Sequence, residues 1–223
     1  MKSGKGMKLV VLLTIVVFVV VAAVVIINNN KDDTTTTKTA NQPSIEGQPT
    51  LGDKDAPVTV TEFGDFKCPS CKAWGEMVYP QLVKDYINPG KVKLSFINVL
   101  FHGEESTLAS IAAESVYEQA PDSYWDFHKA LFDEQPEGHD TLWVTPEKVL
   151  EVAKAFPEID LKTLEKDMES QSTMDQVNID EELVKEYNIQ LTPTIMINGT
   201  IIEDPFDYEK IKEVIEEEME GKE

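Results

Sequence analysis

Arginine is absent from this 223-residue chain, and cysteine nearly so. All 20 basic residues are lysines, set against 41 aspartates and glutamates, and the formal net charge is −21 at pH 7. A chain this acidic repels phosphate backbones, because nucleic-acid binders need clustered basic side chains to displace counterions. Nucleic acid is excluded as a partner on that ground. The two cysteines stand together in Cys68-Pro69-Ser70-Cys71, and every other position avoids a thiol. The rest of the composition, 41% hydrophobic and 27% charged, is that of an ordinary globular domain.

Charge is also missing from residues 9–27, a run of Leu, Val, Ile, Ala, Phe and Thr. At about 1.5 Å rise per residue the run reaches roughly 28 Å, close to the hydrocarbon thickness of a bilayer. β-branched residues dominate it, but in lipid the backbone must satisfy its own hydrogen bonds, so a helix is expected. Lys2, Lys5 and Lys8 precede it with no acid among them, which places residues 1–8 in the cytoplasm and the remainder outside. A cleaved signal peptide is the competing reading, with an apolar core of typically about 7–15 residues and a small-x-small site. Here the run ends in Ile26-Ile27-Asn28-Asn29-Asn30, a poor cleavage site, with no adjoining cysteine to carry a lipid. The expectation is an uncleaved transmembrane signal-anchor in a single-pass cell-membrane protein whose main domain is extracytoplasmic. Residues 28–44, rich in Asn, Asp and Thr, cannot bury enough surface to offset ordering entropy and read as a flexible polar tether. Residues 45–223 are globular in composition.

Within that domain, 57–66 alternates β-branched and polar residues and is predicted as a strand. A helix follows from near Cys68, with Cys71, Trp74, Val78 and Leu82 on one face and a kink at Pro80. Asn88-Pro89-Gly90 ends it, and 91–101 is a second strand. A crossover of this length suits a parallel, right-handed βαβ unit. Residues 102–189 read as helices almost throughout, with Thr145 as an N-cap and Pro146 at a first helical position. Residues 194–202 form a hairpin about Asn198-Gly199. A last amphipathic helix carries Ile211, Val214, Ile215 and Met219 on one side. Trp74, Trp125 and Trp143 sit in apolar helical patterns and read as core.

A C-x-x-C has three readings. As a stapling disulfide it would close four residues and remove little unfolded-state entropy. As a zinc site it would need further ligands, and His102, His128 and His139 are not paired at ligand spacing. The redox reading is favoured by position, since the motif sits where a strand hands over to a helix. Unpaired backbone N–H groups and the positive end of the helix dipole there stabilise a thiolate. Cysteines so placed have pKa values depressed to about 3.5–7.5. Pro69 suits the first turn, Ser70 can add a hydroxyl donor, and Lys67 and Lys72 add flanking positive charge.

The segment Asp55-Ala56-Pro57-Val58-Thr59-Val60-Thr61-Glu62-Phe63, followed by Phe66-Lys67-Cys68-Pro69-Ser70-Cys71, resembles the DsbA-like branch of the thioredoxin superfamily. The resemblance covers about residues 48–220 and is closest to the membrane-anchored BdbD type of Gram-positive bacteria. It implies an α/β thioredoxin fold with a large helical insertion, about 102–189, between βαβ and ββα halves, here preceded by one N-terminal transmembrane helix. It implies a dithiol oxidase that introduces disulfide bonds into secreted or surface proteins with free cysteines. Cys68 is then the nucleophile and Cys71 the resolving thiol, and no cofactor is required beyond their own disulfide. A DsbB-like, quinone-linked membrane oxidoreductase is implied as the reoxidant. Thr192-Pro193 matches the family's cis-proline loop, which faces the disulfide and pairs with substrate backbone, where an ordinary trans turn is the alternative.

Glu62 matches a buried acid beneath the family's active site. An unpaired acid mid-strand is costly, which supports proton handling for Cys71, although a solvent-facing strand acid is the alternative. Related sites often carry histidine inside the motif, and Ser70 in its place bears on the redox potential. A reductase or isomerase on the same fold, and a non-catalytic chaperone-like module, are the rival functions. The acidic segment 175–182 is either a solvated helix start or part of a hard-cation site, such as structural calcium at Asp175 and Asp180.

Overall fold

The computed structural model describes residues 36–39, 41–138 and 141–221. The chain divides into two units at Thr34 and Thr35, and the described residues belong to the second. The apolar run 9–27 and His139 lie outside the described residues. Among the described residues, no helix is long and apolar enough to cross a membrane.

Six strands form one mixed sheet: β1 (Thr36–Lys38), β2 (Thr50–Leu51), β3 (Val58–Gly64), β4 (Val92–Asn98), β5 (Thr194–Ile197) and β6 (Thr200–Ile202), in the order β1-β6-β5-β3-β4-β2. β3 runs parallel to β4, from Val58 opposite Val92 to Gly64 opposite Asn98. It runs antiparallel to β5, with Val60 opposite Ile197. The crossover between β3 and β4 is α1 (Pro69–Met77), α2 (Tyr79–Leu82) and a π turn at Val83–Ile87. Proline cannot donate into a continuing helix, and here the interruption is one residue long, Val78, which still donates to the Trp74 carbonyl and accepts from the Leu82 N–H. Pro80 lies in the first two positions of α2, beside the interruption, where the kink was expected.

The helical insertion is α3 (Glu104–Gln119), α4 (Tyr124–Asp133), α5 (Pro146–Ala153), α6 (Leu161–Ser170) and α7 (Met174–Glu186). Thr145 caps α5 by accepting from the Lys148 N–H at 3.2 Å. After the β5–β6 hairpin, α8 (Tyr208–Glu220) closes the chain's fold. The β-α-β, helical block, β-β-α plan read from the sequence is therefore the core of the observed topology.

The two outermost strands extend it. Thr36–Lys38 falls inside the segment read as a tether, yet it pairs with β6, Thr36 opposite Ile202 and Lys38 opposite Thr200. Thr39 continues the contact, its N–H donating to the Gly199 carbonyl at 2.7 Å and its hydroxyl at 2.9 Å. Threonine suits an edge strand, which asks for pleated backbone pairing without apolar burial on both faces.

Among the described residues, three apolar clusters form the interior. Val58, Val60, Leu94 and Ile195 pack with Trp74, Leu82 and Ile211 of α1, α2 and α8. Phe63, Ile97 and Met196 lie against Leu183 and Val184 of α7. Phe66 and Phe96 join the helical insertion through Tyr124, Phe127 and Phe132. Every residue of β3 is buried, so Glu62 is carried into the interior by the strand that ends at the redox motif. Gly64 is required at that strand end, because a Cβ there would stand 2.4 Å from the Phe96 ring.

Candidate active site

β3 ends at Gly64, and residues 65–67 turn into α1. The Cys68 N–H donates to the Asp65 carbonyl at 2.9 Å, and the Cys71 N–H to the Cys68 carbonyl at 3.1 Å. Cys68 is the N-cap, with extended backbone at φ −77° and ψ 119°, and Pro69 enters the first turn, where a missing N–H costs nothing. Cys68 is 7% exposed and Cys71 only 1%, while Pro69 and Ser70 between them are exposed. Both thiols are free. Thr192-Pro193 is a cis bond, and the Thr192 carbonyl oxygen lies 3.3 Å from Cys68 Sγ.

The two thiols differ sharply in chemistry. The hydrogen bond from the Cys71 side chain lowers Cys68 to about 5. Thr192 and the backbone N–H groups of Cys71 and Ser70 assist, and burial opposes. Cys71 moves the other way: burial pushes it well above its ordinary value, and Cys68 and Glu62 add to the rise. Glu62 is raised to about 8 by burial and by the charge on Cys68. At neutral pH the site therefore holds one thiolate above a protonated thiol and a protonated carboxyl. Glu62 and Cys71 line a common cavity of about 270 Å³, walled by Trp74, Tyr79 and Trp125 and reaching the exposed residues Glu76 and Lys129.

A family model described as thioredoxin matches residues 44–217. Disulfide bond formation protein D of Bacillus subtilis (strain 168) is 48% identical over 183 residues, which is 82% of this chain and 82% of that protein. The chain is a thioredoxin-family protein of the disulfide bond formation protein D (BdbD) type. The probable disulfide bond formation protein D of Bacillus anthracis is 38% identical over 77% of this chain and 78% of its own. The crystal structure of oxidised BdbD from Bacillus subtilis superposes with a TM-score of 0.79 at 47% identity, covering 82% of this chain and 98% of that one. A DsbA structure from Chlamydia trachomatis matches with a TM-score of 0.70 at 26% identity, covering 81% of this chain and 96% of that one.

In this BdbD-type site, both flanking lysines are hydrogen-bonded, and Lys67 meets a carboxylate. Lys67 Nζ pairs with Glu105 and donates to the Thr141 carbonyl at 2.6 Å. Lys72 Nζ donates to the Gln135 carbonyl at 3.0 Å. Among the histidines, His128 lies in the core against Phe66, Phe96 and Phe132, and burial lowers it to about 3. His102 has a polar partner that sequence reasoning missed, Asp65, at 2.7 Å from its Nδ1.

The acidic segment of α7 also resolves. Asp175 is exposed in the first turn, whereas Asp180 is wholly buried. Five residues of helix turn the two side chains well apart, so they do not form one site. Asp180 instead accepts from Gln48 Nε2 at 2.6 Å, and from the Asn98 N–H at 3.0 Å and Nδ2 at 2.7 Å. Asn98 Nδ2 also donates to Glu114 at 2.8 Å. Burial raises Asp180 to about 6 and Glu114 to about 8, the charge of Asp180 adding to the latter. Asn98 Oδ1 is buried with no partner. Two carboxyls and an orphaned amide oxygen meet there, with the Gln48 and Asn98 amide N–H groups turned to the carboxylates; oxygen donors of this kind suit a hard cation. Gln48, Asn98 and Glu114 were not foreseen. Glu114, set among Ala112, Ala113 and Val116 on α3, carried the one usable signal.

Proposed function

We infer that this chain is a thiol–disulfide oxidoreductase that introduces disulfide bonds into other proteins, acting as a dithiol oxidase through Cys68 and Cys71. The observation that carries this reading is the asymmetry of the pair, a stabilised thiolate at Cys68 and a buried, protonated Cys71. Stabilising the thiolate favours the reduced protein, and so makes the disulfide the stronger oxidant.

In the first step a substrate thiolate attacks Cys68 Sγ of the disulfide. The Cys68–Cys71 bond breaks, a substrate–Cys68 bond forms, and the electron pair leaves on Cys71. Glu62, whose proton is held by burial, is the acid that neutralises Cys71, and it regains a proton from solvent once the pair is reduced. A water in the cavity they share can carry the proton between them. A second substrate thiolate then attacks the substrate sulfur, forming the product disulfide and releasing Cys68 as a thiolate. The Thr192 backbone beside Cys68 pairs with the substrate strand during both steps.

The substrates are unfolded secreted or surface proteins with free cysteines. The domain works outside the cytoplasm on a single-pass anchor at 9–27, a reading supported by that apolar run and the lysines before it. Reoxidation falls to a DsbB-like, quinone-linked membrane oxidoreductase, for which an anchored domain is suitably placed. Calcium is the cation that the buried oxygens of Asn98, Glu114 and Asp180 would hold, with Gln48 beside them. It would supply structural charge neutralisation, tying α3 and α7 to β4, and take no part in thiol exchange.

Three outcomes test this reading. Trapping thiols in unstressed cells is expected to find Cys68 and Cys71 mostly oxidised, and a mainly reduced pair would favour the reductase or isomerase. Glu62→Gln is expected to slow oxidation of a dithiol peptide by roughly tenfold or more at pH 7. The wild-type rate, corrected for the substrate's thiolate fraction, should fall as pH rises and Glu62, held above the ordinary carboxyl range by burial, loses its proton. A Glu62→Gln rate equal to wild type removes Glu62 from proton handling. Millimolar calcium is expected to raise the thermal midpoint of the wild-type protein and leave that of Asp180→Asn unmoved; no wild-type response would refute the cation site.

A further inference from the structure

Asp65, in the turn between β3 and α1, is 1% exposed, and burying a carboxylate is costly unless hydrogen bonds satisfy it. Three groups do so. Oδ1 accepts from the Lys67 backbone N–H at 2.8 Å. The Ser106 hydroxyl lies 2.8 Å and 2.9 Å from the two carboxylate oxygens. His102 Nδ1 lies 2.7 Å from Oδ2. The main chain of the same residue meets both cysteines. Its carbonyl accepts from the Cys68 N–H at 2.9 Å, and its own N–H donates to Cys71 Sγ at 3.4 Å. The carboxylate is thus clamped by the start of the helical insertion, while the attached peptide is aimed at the redox pair.

We propose that Asp65 is a positioning residue for disulfide exchange: Ser106 and His102 hold its carboxylate so that its backbone N–H stays on the Cys71 sulfur. When a substrate thiolate attacks Cys68 and the sulfur–sulfur bond breaks, the electron pair arrives on Cys71, and this N–H stabilises it before the proton follows. In the reduced protein the same N–H polarises Cys71, strengthening the hydrogen bond that Cys71 gives to the Cys68 thiolate. Hydrogen bonds in such chains reinforce one another. The direction of the Cys71 titration agrees, since the Asp65 N–H is the group that draws it downward against burial. The ionisable groups facing Cys71 are Cys68 and Glu62. Those facing the Asp65 carboxylate include His102, while the Lys67 ammonium is turned to Glu105.

The inference rests on Cys68 and Cys71 being the redox pair, which oxidation of a dithiol peptide by the wild-type protein checks separately. The test compares Asp65→Ala, Asp65→Asn, Ser106→Ala and His102→Gln with wild type. It reads Cys68 ionisation by thiolate ultraviolet absorbance, peptide oxidation by stopped flow, and the thermal midpoint. Asp65→Ala is expected to raise the Cys68 titration midpoint by about half a pH unit or more and to slow peptide oxidation about threefold or more. Ser106→Ala and His102→Gln should move both readouts the same way by less. Asp65→Asn keeps an acceptor for the Lys67 N–H and should recover part of the loss. Should Asp65→Ala not fold, the other variants decide, His102 standing on a ring that is 21% exposed. If Ser106→Ala and His102→Gln lower the thermal midpoint but leave ionisation and rate unchanged, the role is structural only and the proposal fails.

Discussion

One negative charge, held on Cys68 at the first turn of α1, organises the groups around it. The helix start offers unpaired N–H donors, and those of Ser70 and Cys71 lower the thiol together with the Cys71 side chain. Once that charge is present, a second one beneath it is disfavoured. Cys71 and Glu62 both rise, each by burial first and by the Cys68 charge in addition. The site thus stores two protons below one thiolate. That is the reduced state in which exchange ends; in the disulfide only the Glu62 proton is at hand, and the leaving Cys71 sulfur takes it.

The fold delivers these groups from three directions. β3 carries Glu62 inward and ends at Gly64, where the Phe96 ring leaves no room for a Cβ. The turn before β5, the strand that neighbours β3, brings Thr192 to Cys68. The helical insertion supplies Trp125 and Lys129 to the cavity, and its first residues supply the clamp on Asp65. The insertion is therefore part of the redox centre's support, in addition to covering the sheet.

Features encoded locally were legible in the sequence. The strand before Cys68, the proline at the helix start, the Thr145 cap and the Asn-Gly hairpin each depend on a few adjacent residues. The cis state of Thr192-Pro193 and the burial of Glu62 were expected from resemblance, because chain chemistry alone left both open. Features made by distant partners were not legible. Lys67 read as a free positive charge, but Glu105, 38 residues away, neutralises it. Asp180 read as a companion of Asp175, but its partners are Gln48 and Asn98, 132 and 82 residues distant. β1 and β2, with 3 and 2 residues, are too short and polar for periodicity to reveal.

The most direct test of the central claim is the reduction potential of the Cys68–Cys71 pair, equilibrated against glutathione buffers and read by the fraction of oxidised protein. A thiolate this stabilised is expected to give a potential well above that of thioredoxin, about −270 mV, on the oxidising side. A value at or below thioredoxin's would contradict the account, because the charge on Cys68 would then confer no oxidising power.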